Sequence, residues 1–191
     1  MNSLDSIINR TARWVASHVA SPRSIEVYSY GLFQFISLIL STVAVVALSI
    51  LLRHTVSSLP FILVFYTLRP FCGGFHANSY SLCFILTIIS FIVYVITIMF
   101  LSHITRTITI NTILVIISFM IIYNKAPIIN PHHPLSPGYQ ARAKRLAISF
   151  SLVYSIASII FSFIYIPVSL HITVAQGIVV LMMLIPIIRR R

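Results

Sequence analysis

Leu59-Pro60-Phe61-Ile62-Leu63-Val64-Phe65-Tyr66-Thr67-Leu68 runs straight into Arg69-Pro70-Phe71-Cys72-Gly73-Gly74-Phe75-His76-Ala77-Asn78-Ser79-Tyr80-Ser81-Leu82-Cys83. The first half is apolar; the second is a polar, glycine-marked island in a chain that otherwise reads as membrane helix. Opened by Pro60 and closed by Arg69-Pro70, the apolar run supplies about 10 helical residues. These rise only ~15 Å, half of a ~30 Å hydrocarbon core. Unless Thr55 to Ser58 join it, the run is a re-entrant or buried half-span, a form allowed at membrane depth only where protein or water covers the backbone. The sidedness of every later span depends on that reading.

Outward from this stretch the apolar runs are longer. Gly31 to Leu52, Leu82 to Leu101 and Thr107 to Tyr123 each have the length of a transmembrane helix. Leu146 to Ile166 and His171 to Ile188 form a closing hairpin turned at Pro167, and Asn124 to Arg145 is the longest polar connection. Near the start, Leu4, Ile7, Ile8, Val15 and Val19 share one helical face up to Pro22, so residues 1–22 read as an amphipathic helix, interfacial or packed against the spans. Residues 1–29 lack the apolar core of a cleavable signal peptide. With 59% hydrophobic and 8% charged residues and a mean hydropathy of +1.02, no polar stretch can build a separate soluble domain. The expectation is an all-α polytopic transmembrane protein, residues 1–191 as one domain, with five to six membrane segments, one of them short or re-entrant.

The charges exclude several functions. Asp5 and Glu26 are the only two carboxylates, and both precede the first long apolar run. Proton-coupled transport and cation filtering usually place Asp or Glu inside the membrane. Glycosidase, aspartic protease and carboxylate-metal chemistry lose their key residues too, and no Walker or Rossmann fingerprint is present. The net charge of +11 comes from residues spread over short loops, which reads as a topology signal rather than a nucleic-acid surface. With the N-terminus cytoplasmic and Leu59 to Leu68 counted as a crossing, Arg53 and Arg106 lie outside. Arg10, Arg13, Arg23, Arg69, Lys125, Arg142, Lys144, Arg145 and Arg189 to Arg191 then lie inside, a bias of 2 against 11. Both termini and the 69–83 island are then cytoplasmic, where Cys72 and Cys83 stay reduced.

His76 and Cys83 form the chemical core of the island. A thiolate attacks carbonyls, and an imidazole supplies the thiolate. On one continuous helix a spacing of seven leaves them about 10.5 Å apart along the axis, so the loop must fold back for them to touch. Gly73-Gly74 gives it that freedom. Cys83 near the start of the Leu82 helix gains from the positive end of the dipole. Asn78 or a backbone carbonyl could orient the imidazole. Arg69, at the end of a short span and without a carboxylate near it in sequence, reads as a support for the loop or as a fork for a substrate carboxylate. Two bland readings compete: a buried structural cysteine beside an interfacial histidine, and a metal site built from Cys72, His76 and Cys83 with His132 or His133 as fourth ligand, at a spacing that matches no familiar zinc pattern.

Arg69, Gly73-Gly74, His76-Ala77 and Cys83, followed by Lys125-Ala126-Pro127 and Asn130-Pro131, resemble the accessory gene regulator B family of bacterial quorum-sensing peptidases. The resemblance covers nearly the whole chain in length and hydropathy, with its specific part in the 69–83 segment. It implies a multi-pass bacterial cell-membrane cysteine endopeptidase with His76 and Cys83 catalytic and no cofactor or metal. Its partner is implied to be a small amphipathic propeptide with an acidic C-terminal tail, which is cut off while the remainder closes into a thiolactone or lactone. A homodimer is compatible with this reading. The rival from another class is a non-enzymatic transporter subunit or peptide-export scaffold that uses the island as a constriction.

Overall fold

A computed structural model describes residues 10, 14, 24–73, 80–104, 108–128 and 137–189. Among them the chain forms six helices: α1 Ser24–Leu51, α2 Thr55–Cys72, α3 Tyr80–Ile104, α4 Ile108–Lys125, α5 Pro137–Ile164 and α6 Ile166–Arg189. The described residues hold no strand, only an isolated backbone bridge between Gly73 and Ile128. Four segments are long and apolar enough to cross a membrane: Phe84–Leu101, Ile108–Lys125, Gly138–Ile164 and Ile166–Ile185. Leu38–Leu51 of α1 and Ser58–Cys72 of α2 are shorter apolar helices. The all-helical, polytopic architecture is the one expected from the sequence. Of the N-terminal amphipathic segment only Arg10 and Trp14 fall within the described residues; both are helical and exposed.

Three boundaries differ from the sequence reading, each for a local reason. Thr55 to Ser58 do join the apolar run, and the Ser58 hydroxyl folds back onto the Thr55 carbonyl at 2.7 Å rather than competing with the helix. With 18 residues, α2 rises about 27 Å, so it is short but continuous rather than a half-span. Pro60 and Pro70 lie inside it, in the second and last turns, where the missing N–H costs an end bond instead of breaking the middle. On the far side, α5 opens at Pro137, a residue preorganised for a first helical turn, so Arg142, Lys144 and Arg145 lie on a helix and not in a loop. The α5–α6 break falls on Tyr165 alone; Pro167 belongs to the first turn of α6.

α6 is the central helix. In its span 67% of residues are buried, against 22% to 33% in the other three long spans. α2 and α3 meet over an aromatic cluster: Phe61 stacks on Phe65 at 4.8 Å and packs against Phe91 and Tyr94 at 5.2 and 5.0 Å. The Tyr94 hydroxyl reaches His171 Nδ1 of α6 at 2.8 Å. Between α5 and α6 the seam is polar. Ser151, Ser155, Ser158 and Ser162 recur at helical spacing on α5, all buried, against Ser169, Thr173 and Gln176 of α6. Ser158 bonds Thr173 at 2.7 Å, Gln176 donates to Ser151 at 2.8 Å, and Asn111 of α4 donates to Ser162 at 3.0 Å. Small residues let the backbones approach, and hydroxyls join them where no water is available. Outward-facing Phe35, Ile39, Val43 and Ile50 on α1, or Ile113, Ile117 and Met120 on α4, are exposed apolar side chains suited to lipid.

Candidate active site

The island quoted at the outset is largely helical at both ends. Arg69 to Cys72 form the last turn of α2, and Tyr80 to Cys83 form the first turn of α3. Helix thus claims Arg69 to Cys72 and Tyr80 to Cys83 of the catalytic loop expected over 69–83. Cys83 stands in the first turn of α3, the position from which a helix dipole favours a thiolate. Gly74, His76 and Asn78 lie outside the described residues, as does the side chain of Cys83, and with them the expected His76–Cys83 approach and the orienting role of Asn78.

Gly73 is where the chain leaves α2, at φ 69° and ψ −151°. That region is essentially closed to residues with a Cβ. The turn is pinned from a distant segment: Ile128 N–H donates to the Cys72 carbonyl at 3.0 Å, and Gly73 and Ile128 form the isolated bridge. A Cβ on Gly73 would fall onto the Ile128 carbonyl oxygen and within 2.9 Å of its nitrogen. Lys125 ends α4, Ala126 and Pro127 follow through a cis peptide bond, and Ile128 closes onto the end of α2. The conformational freedom expected of Gly73-Gly74 is thus required at Gly73, by close backbone contact. The Gly73–Ile128 pairing carries no local signal in the sequence, since neither segment contains a pattern that names the other.

Arg69, which has no carboxylate near it in sequence, has two partners of another kind. Its Nη1 donates to Thr87 Oγ1 at 3.3 Å, and its guanidinium lies 5.1 Å from the centre of the Phe65 ring. It is partly buried in the last turn of α2, where a cation complements the helix dipole. Thr87 lies one turn after Cys83 on α3 and was not singled out by the sequence, although the four-residue spacing could have suggested it. Cys72 is fully buried in the hydrophobic core, a setting in which thiols are inert. No group of three His, Cys, Asp or Glu side chains that could hold a metal occurs among the described residues. Most of the alternative metal set (His76, His132, His133 and the Cys83 thiol) lies outside them. Phe71 stacks on Phe150 of α5 at 5.7 Å, and exposed Lys125, Arg142, Lys144 and Arg145 rim the same end of the bundle.

The profile of the accessory gene regulator B family matches residues 8–187. A protein of Clostridium perfringens (strain 13 / Type A), named for its likeness to AgrB as AgrB-like protein 1, is 29% identical over 137 residues. That alignment covers 68% of this chain and 66% of the relative, so the chain spans just under two thirds of the relative's length. No solved structure matches significantly. The family match extends over almost all of the chain, over α1 to α5 and all but the last two residues of α6. The chain belongs to the accessory gene regulator B family.

Proposed function

We propose that this member of the accessory gene regulator B family is a membrane cysteine endopeptidase that removes the C-terminal tail of a small amphipathic propeptide and passes the remainder on to cyclisation. The observation that carries the reading is the family match over residues 8–187, because it spans the whole 69–83 segment. The first-turn position of Cys83 and the tightly specified exit of the chain at Gly73 support it.

In the proposed reaction His76 takes the proton from the Cys83 thiol, and the thiolate attacks the carbonyl carbon at the cut site. The C–N bond breaks, the tail amine leaves with the proton held by His76, and the propeptide remains on Cys83 as a thioester. A thiol or hydroxyl of the propeptide itself then attacks that carbonyl. A new thioester or an ester closes the ring and Cys83 is released. Exchange of one thioester for another is close to isoenergetic, so the ring-closing step itself needs no nucleotide. A site at the membrane interface keeps competing water low. The oxyanion is assigned to backbone N–H groups at the start of α3. The loop end of the bundle is proposed to be cytoplasmic: Arg69, Lys125, Arg142, Lys144, Arg145 and Arg189 share it, while Arg53 sits at the opposite end.

The test is propeptide cleavage by single variants at matched protein level. Cys83→Ala and His76→Ala are each expected to abolish cleavage. Cys72→Ala, deep in the core, should retain it. Activity in Cys83→Ala with loss in Cys72→Ala would reverse the assignment.

A further inference from the structure

A polar contact joins the end of α2 to α3: Arg69 Nη1 donates to Thr87 Oγ1 at 3.3 Å. Cys83 precedes Thr87 by four residues on α3, so the two positions share one side of that helix, one turn apart. Cα–Cβ bonds tilt toward a helix N-terminus, which leans the side chain of Thr87 toward the turn that holds Cys83. Arg69 is therefore anchored on the turn of α3 that follows Cys83, the two turns being about 5.4 Å apart along the axis. Phe65 supports its other side at 5.1 Å and restricts its rotamers. Among the described side chains no carboxylate competes for the charge, and partial burial limits its screening by water.

We propose that Arg69 is a charge-supporting positioning residue for Cys83, held in place by Thr87 and Phe65, rather than a fork for a carboxylate of the substrate. The proposal rests on the assignment of Cys83 as nucleophile. It assigns Thr87, which carries no chemistry of its own, the role of fixing where the cation sits. An opposite charge near a thiol stabilises its ionised form and adds to the dipole of α3. Other titratable groups at this end are Tyr66 and Cys72 on α2, Tyr80 on α3, Lys125 on α4, Glu26 at the start of α1, Arg142, Lys144 and Arg145 on α5 and Arg189 on α6, with His76 between α2 and α3 in sequence. Lys125, Arg142, Lys144 and Arg145 are exposed, and their fields are screened by solvent far more than that of Arg69.

The experiment uses full-length protein in detergent with Cys72→Ala, which leaves Cys83 as the single thiol of the chain. The rate of iodoacetamide alkylation is followed against pH, since only the thiolate reacts. Arg69→Gln is expected to move the midpoint up by about one pH unit, and Arg69→Lys to recover at least half of that shift. Thr87→Val should move it up by less, because the cation remains but is no longer held. The shifts should recur in a His76→Ala background, which separates the contribution of Arg69 from that of the imidazole. An unchanged midpoint in folded Arg69→Gln would overturn the proposal. Raised KM for the propeptide with that unchanged midpoint would show Arg69 acting on the substrate instead. If Arg69→Gln does not fold, Thr87→Val decides, an unchanged midpoint again overturning the idea. Alkylation needs no propeptide, so this test stands apart from the cleavage assay: active Cys83→Ala would remove the nucleophile reading without altering the titration.

Discussion

Gly73 is the residue at which sequence and geometry constrain each other most tightly. Its φ and ψ lie where a side chain is strained, and the space a Cβ would enter is filled by the backbone of Ile128, which cannot rotate away as a side chain could. Gly73→Ala is therefore expected to destabilise by more than about 2 kcal/mol, the strain and the lost Cys72–Ile128 pairing acting together. Gly177 is the internal control. It lies inside α6 with nothing within 4 Å of an added Cβ, so Gly177→Ala should stabilise by roughly 0.5 to 1 kcal/mol. Thermal unfolding in detergent micelles measures both, and equal effects in the two variants would contradict the clamp. That the 69–83 stretch needs glycine freedom was legible from Gly73-Gly74. Which glycine is indispensable was not, because the obstacle is the main chain of a segment that only the fold brings near. The same limit applied to Arg69: the sequence displayed a cation without a local acid, but its partners are a hydroxyl on the next helix and a ring one turn back.

At the scale of helices, the long spans were legible from length and hydropathy, since Leu82 to Leu101 sits wholly inside α3 and the Thr107 to Tyr123 run matches α4 from Ile108 onward. The ends were less so. Proline suggested boundaries at Pro60, Pro70 and Pro167, yet each is helical, since in end turns the ring forfeits few bonds. Least visible was the α5–α6 interface, because serine spacing becomes informative only when a partner helix is known. Ser158 sits at its centre, fully buried, with Thr173 at 2.7 Å and Ser169 at 3.0 Å. Ser158→Ala should cost under about 1.7 kcal/mol, the upper range for a hydrogen bond between membrane helices. Ser158→Leu has no room between the backbones and should cost at least about 1 to 3 kcal/mol from overpacking. Unfolding of the two variants side by side distinguishes an interface held by close approach from one held by hydrogen bonds. In the second case the Ala variant would lose as much as the Leu variant.

For the molecule as a whole, the consequence of a continuous α2 is parity. Had Leu59 to Leu68 entered and left on one side, α3 to α6 would all be reversed, and the basic residues at the loop end would share a side with Arg53. An 18-residue α2 rises about 27 Å, close to a hydrocarbon thickness, and its two ends fall at opposite ends of the bundle: Arg53 beside its start, Gly73 against Ile128 at its finish. Were all six helices to cross, the chain would return to the side on which α1 began. This arrangement separates the basic residues in the direction that insertion favours, so helix geometry and charge distribution argue independently for one topology. Single cysteines placed in a Cys72→Ala, Cys83→Ala background test it. Tyr139→Cys, exposed near the start of α5, is expected to react with membrane-impermeant maleimide only after cells are opened. Thr55→Cys, exposed at the start of α2, should react in intact cells. Reaction at both sites in intact cells would mean that α2 does not cross. The site proposed at His76 and Cys83 would then lie on the outer side, away from a propeptide made in the cytoplasm, and the proposed peptidase reading would fail together with the topology.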